Sequence, residues 1–272
     1  MGVQLRLKPR DVLLGLPQKE KRTHVVELIL SCKIPANMPQ SKLLERISKI
    51  IFESGAKILI ANPIHIRESM YMVFFLDFSE TKVSTKELKG KLEKLRFSNE
   101  VKVLEPKPLF LDTAHFPLTN GMERVCIISM NALAQMHEEM INILGSGAFT
   151  VLLHMGLKRG EALVKLIKEL TPSDVKLKRE EMLEAFKQIY QARGWGIVEY
   201  VEMNVKRKTG KIRIHHSVAE SVRKKYDMPI CYYTKGNLTA LLQEVFNHKA
   251  VYLNEVKCMA MGDPYCEFEF EC

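Results

Sequence analysis

Three of the six cysteines in this 272-residue chain stand in its last fifteen positions, within EVKCMAMGDPYCEFEFEC at 255–272. Gly262-Asp263-Pro264 is a turn signal between two strand-like runs. A hairpin centred near Gly262 sets Cys258 and Cys266 opposite one another. Two thiols meeting across a tight turn form half of a site for a soft or borderline metal, and Glu255 is a third donor. Strict strand alternation points Glu255 and Cys258 to opposite faces, so a shared site requires a bulge or an irregular strand. Cys231, in MPICYYTKGNL, reads as part of a short strand ahead of a helix and is the candidate fourth ligand. Cys32 and Cys126 lie in apolar strand-like runs and read as core residues, and Cys272 is terminal. Buried, reduced thiols without an ion satisfy the same spacing, so the pattern alone leaves both readings open.

A metal reading fits a cytoplasmic setting better than disulfides do. That setting is itself an expectation. No apolar run approaches the ~20 residues of a membrane span, and MGVQLRLKPRDVLLGLPQKEKR lacks the apolar segment and cleavage site of a secretory signal. Hydrophobic residues make up 46% and charged residues 27%, as in a soluble globular protein. The net charge of +9 is lopsided: residues 1–108 hold 20 Lys/Arg against 12 Asp/Glu, residues 109–272 hold 21 against 20. Such a front half suits an acidic partner, nucleic acid or a solvated lysine-rich surface. Positive residues never exceed three in a row, which favours the solvated surface and leaves nucleic acid undecided.

Residues 23–108 alternate strand and helix signals in the order βαββαβ. THVVELILSCKI reads as a buried strand. SKLLERISKIIFESGA follows as an amphipathic helix, with Ser41 as N-cap and Gly55 as its stop. KILIANPIHI and SMYMVFFLDFS are two further strands. STKELKGKLEKLR is a second helix capped by Ser84 or Thr85, and EVKVLEP is a last strand. This is the order of a ferredoxin-like domain, and it resembles the ACT family of regulatory domains. The Pro-Gly step usual in that family is here Pro39-Gln40. Loss of the glycine removes the close backbone approach an amino-acid ligand uses. The resemblance therefore implies pairing of the sheet with a second subunit.

From 109 onward LFLDTAHFPLTNGMERVCIISM reads as strands around an Asn120-Gly121 turn. Helical segments follow near 131–144, 148–170 and 178–192. Then come two strands joined at Thr209-Gly210, short helices at SVAESVRKKY and NLTALLQEVFN, and the terminal hairpin. Gly156 and Gly160 share one helix face and predict a close crossing there. The fold class is thus α+β: a tail (1–22), an ACT-like domain (23–108) and a mixed domain with an antiparallel sheet and helices (109–272).

The segment from Cys231 to Phe268 resembles the C-terminal signature of the 4-vinyl reductase domain family. It carries Cys231, Gly236, Glu255, Cys258, Gly262, Asp263, Cys266 and Phe268 in the family's order and spacing. The resemblance implies a structural zinc held by Cys231, Glu255, Cys258 and Cys266. Such a shell is full and leaves no place for activated water. Lys257 is expected to offset part of its charge. The resemblance also implies a site for an aromatic or other hydrophobic small molecule, with His154 and Trp195 as the ligand-gripping residues. Their alternative roles are a satisfied core histidine and a packing tryptophan.

Gly-x-Ser-x-Gly, His-Glu-x-x-His and Rossmann glycine patterns are missing from the sequence. His215 and His216, adjacent on a strand, face opposite ways. The expectation is a non-enzymatic, zinc-stabilised ligand sensor, a homodimer acting through a regulatory partner. The alternatives are an interaction or scaffold module of related fold, as in vesicle tethering, or an enzyme associated with reduction.

Overall fold

Apolar side chains of β1 (Val25–Lys33) are buried along almost its whole length, the mark of a central strand with neighbours on both sides. A computed structural model places it so, paired antiparallel with both β3 and β4 in a sheet of order β2-β3-β1-β4. The structure describes residues 25–35, 38–66, 68–81, 83–104, 118–119 and 123–272. The tail over 1–22, the expected boundary segment from 109 to 117 and the Asn120-Gly121 turn lie outside the described residues. The chain divides into two compact units, Met1–Val125 and Cys126–Cys272.

In the first unit the elements are β1, α1 (Gln40–Glu53), β2 (Lys57–Ile66), β3 (Ser69–Asp77), α2 (Thr85–Glu93) and β4 (Ser98–Leu104). This is the expected ferredoxin-like order. Helical spacing puts Leu43, Ile47 and Ile51 of α1 and Leu88 and Leu92 of α2 into one core. They pack with Leu28, Leu30, Met72 and Phe74 of the sheet. Ser84 caps α2, its hydroxyl accepting from the Glu87 amide. The cap of α1 falls on Pro39, not Ser41. Proline's fixed φ sets the entry angle before the serine is reached. Gly55, at φ +78°, ends that helix as expected.

In the second unit three helices come first: α3 (Met130–Leu144), α4 (Gly147–Leu170) and α5 (Arg179–Ala192). An antiparallel sheet of order β5-β6-β8-β7 follows, built from β5 (Ile197–Asn204), β6 (Thr209–His215), β7 (Tyr252–Lys257) and β8 (Cys266–Glu271). Between β6 and β7 lies α6 (Tyr232–Phe246). Several local readings change. Among the described residues, the expected strands around 120 reduce to one bridge, Thr119 with Arg124. Cys126 is exposed and not the core residue expected, whereas Cys32 is buried as expected. Thr209 and Gly210 open β6, the turn before them ending on Lys208 at φ +54°. SVAESVRKKY yields only a 3-10 turn, Val218–Val222. Cys231 is the N-cap of α6, not a strand residue.

Gly156 and Gly160 do make a close crossing, of α4 on α6. A Cβ at Gly160 would stand 2.7 Å from the Asn237 carbonyl oxygen, and one at Gly156 would overlap the Tyr233 carbonyl. Gly236 answers from α6, its open side lying on the α4 backbone at Leu153 and Leu157. Backbone meets backbone there, so the side chains flanking the glycines are held in fixed positions.

Candidate metal centre and the adjoining ring cluster

The terminal hairpin carries the irregularity that a shared site requires. β7 and β8 pair Glu255 with Phe268 but Lys257 with Glu267, leaving Val256 as an extra residue. That bulge turns Glu255 to the side that Cys258 faces. Beyond it the register brings Cys258 against Cys266, and the Cys258 amide donates to Asp263 Oδ2 at 2.8 Å, closing the turn. Gly262 supplies the turn's positive φ of +108°. From outside the hairpin, Cys231 at the head of α6 completes a group of four. Single donor atoms of Cys231, Glu255, Cys258 and Cys266 all lie within 4.8 Å of one another, and all four residues are buried.

Donor chemistry and spacing fit a thiophilic dication. The Cys231 sulfur lies 3.6 Å from that of Cys258 and 3.5 Å from that of Cys266. A tetrahedral zinc shell with ~2.3 Å bonds sets sulfurs about 3.8 Å apart. Glu255 Oε2 accepts from the Cys231 amide at 3.0 Å, while Oε1 is buried without a partner. An orphaned carboxylate oxygen among three thiols is costly unless a cation meets it. Without a cation the four groups cannot share negative charge. Burial pushes the Glu255 carboxyl up to about 8. Hydrogen bonding from Cys231 and Cys266 holds the Cys258 thiol far below its usual range, and the other two thiols are raised. Zinc, if bound, would be held by these four residues and would supply a fixed positive charge.

The ammonium of Lys257 does not turn to this group. It reaches the Tyr265 hydroxyl at 3.2 Å and Glu267 at 3.6 Å. It sits beyond the bulge, where alternation sends its side chain to the opposite face of the sheet.

In the first turn of α6, Tyr233 begins a second cluster. Its ring stacks with Trp195 (centroids 5.7 Å apart, planes at 21°) and tilts against His137 at 5.3 Å. Tyr190 stands 6.3 Å from Trp195. The guanidinium of Arg159 lies over Trp195, 3.6 Å from its centroid, a cation–π contact. Arg159 Nη1 donates to Asn237 Oδ1 at 2.6 Å, and Asn237 Nδ2 donates to the Tyr233 carbonyl at 2.7 Å. Two polar atoms here are buried without partners, His137 Nε2 and Arg159 Nη2. Burial lowers the proton affinity of both side chains and raises that of the Tyr190 phenol to about 12.

Trp195 lies inside this cluster and His154 outside it. His154 is exposed on α4. The buried stripe of that helix runs through Leu152, Gly156 and Gly160. Two residues along a helix is a rotation of about 200°, which carries His154 to the far side. The buried histidine is His137 on α3, 8% exposed. Its position was readable, since it follows Leu133 and Ala134 at helical spacing. Arg159 also had a signal: a cation bracketed by Gly156 and Gly160 on the packed side of a helix. Asn237, wholly buried in α6, had none.

Residues 211–272 match the model of the 4-vinyl reductase domain, and residues 112–206 match that described as Activator of aromatic catabolism. The first of these matches contains the segment from Cys231 to Phe268 in which the resemblance was read. An uncharacterized protein of Methanocaldococcus jannaschii is 34% identical over 59 residues, which are 22% of this chain and 36% of that one. The match thus spans about a third of the relative's length. Two solved structures are similar in part. The phenol-responsive sensory domain of the transcription activator PoxR, with phenol, is 20% identical over 56% of this chain and 78% of its own, at a TM-score of 0.47. A trafficking protein particle complex subunit 3 from Naegleria fowleri, covalently bound to palmitic acid, is 15% identical over 52% and 93%, at 0.41.

Proposed function

We propose that the chain is a non-enzymatic sensor of an aromatic or other hydrophobic small molecule, its ligand-binding unit braced by a structural zinc. The observation that carries this reading is the shared use of α6. Its head is Cys231, one of the four clustered donors, and its next turns present Tyr233 and Asn237 to Trp195 and Arg159. A metal at the head of α6 would hold the rings below it in register, so that ligand affinity depends on the staple. The description of the family model over 112–206 supports an aromatic effector.

Three thiolates and a carboxylate fill a tetrahedral shell, which gives the ion a bracing role with no position for activated water. Binding at Tyr233 and Trp195 beside a filled metal shell is the work of a receptor. Under this reading the ferredoxin-like unit, ACT-like in order, transmits the ligand state by pairing with a second copy or a regulatory protein in the cytoplasm. Exposed Met136 and Ile143 on α3 and Val151 and Met155 on α4 offer the second unit an apolar surface for the same purpose.

Native mass spectrometry of the full chain, purified without chelator, tests the reading. One zinc per chain is expected, lost in Cys258→Ser together with stabilisation by phenol. A metal-free wild type, or a Cys258→Ser protein that melts and binds as before, would sink it.

A further inference from the structure

We infer that the ring cluster is built for an anion, and that the effector is a small aromatic carboxylate in which Arg159 grips the acid group. This rests on the sensor reading above and narrows it. Arginine is always charged and is seldom drawn into a protein without an acidic partner. Among the described residues Arg159 forms no ion pair. Its one polar partner is the neutral Asn237, through Nη1. The Asn237 oxygen is itself fixed in place, because the amide nitrogen is committed to the Tyr233 carbonyl. Nη2 is left buried with nothing to donate to.

The surroundings do not neutralise the cation either. Rings of Trp195 and Tyr190 face it at 3.6 and 5.4 Å, and burial is what most opposes its charge. Ring faces attract a cation but leave its N–H groups unsatisfied. A ligand carboxylate would meet both needs at once, since its two oxygens match the guanidinium fork. The flat body of the ligand would lie against Tyr233, Trp195 and His137, where Tyr233 stacks on Trp195 and tilts against His137. His137 Nε2, also buried and unpaired, is the second polar contact. Burial keeps this imidazole neutral, so it serves as a hydrogen-bonding group and adds no further charge. A phenol or hydrocarbon would stack equally well but would leave the guanidinium uncompensated.

Titration calorimetry of the full-length protein with sodium benzoate, phenol and sodium acetate decides the matter. Benzoate should bind about tenfold tighter than phenol, as a charge-assisted fork requires, and acetate should not bind measurably. Arg159→Gln should erase the preference, bringing the benzoate-to-phenol affinity ratio to about one. Phenol equal to or tighter than benzoate in the wild type overturns the inference while the sensor reading stands. A preference for benzoate that survives in folded Arg159→Gln overturns it too. Failure of both aromatic probes to bind removes the sensor reading itself, and this inference with it. If Arg159→Gln does not fold, the wild-type ratio decides, with Arg159→Lys expected to keep the charge but lose most of the preference.

Discussion

The two units of this chain bury different things. Around β1 the core is aliphatic and aromatic, with only Glu27 and Ser54 as buried polar residues among those described. The second unit buries His137, Ser217, Thr234, Asn237, Glu255 and Glu267, besides three clustered cysteines. Polar groups are costly inside a protein unless each has a partner. A unit that collects them is shaped for binding, whereas one that avoids them is shaped for folding. Three of the buried atoms without a hydrogen bond, on His137, Arg159 and Glu255, fall in the second unit at the two sites described above, and Glu27 Oε1, on a side chain that has another partner, falls in the first.

The contrast is open to direct attack. Stripping metal with a chelator should destabilise the second unit by on the order of 5 kcal/mol or more, since ligation energy is folding energy when the site is absent from the unfolded chain. Hydrogen exchange should show protection lost over β7, β8 and α6 and kept over β1 to β4. A single transition unchanged by chelation would erase the distinction. Leu43→Ala removes a fully buried side chain from the first unit and should cost about 3 kcal/mol, with metal content untouched. A smaller pair concerns glycine. Gly156→Ala drives a methyl into the Tyr233 backbone and should cost about 2 kcal/mol, weakening benzoate binding as α6 shifts. Gly90→Ala in α2 meets open space and should instead gain about 1 kcal/mol from helix propensity. Chemical denaturation resolves both, and equal signs at the two positions would contradict the backbone contact at Gly156.

Much of this was readable in the chain. Helical spacing at Leu43, Ile47 and Ile51 and the β-branched run of β1 specify their elements locally, because burial of one stripe or face dictates periodicity. The need for a bulge between Glu255 and Cys258 was also legible, since alternation is a rule of the backbone. Cys231 was assigned to the right cluster from the wrong element, a strand in place of a helix cap. A single residue before a helix has no period to betray it. His154 was named from the family resemblance, and an apolar stretch around it says nothing about which side of a helix faces inward. The glycine spacing in α4 announced a crossing but not its partner.

By itself the sequence determined the order of elements from β1 to β4 and the need for an irregularity if Glu255 and Cys258 share a site, since both follow from chain-local periodicity. The set of Cys231, Glu255, Cys258 and Cys266 came from family resemblance, because spacing alone left the thiols open to a metal-free reading. Tertiary structure alone decided that Arg159, 78 residues before Asn237, would lie over Trp195 with one nitrogen buried and unpaired. That outcome depends on how closely two glycine-faced helices approach, a distance set by packing between segments remote in the chain.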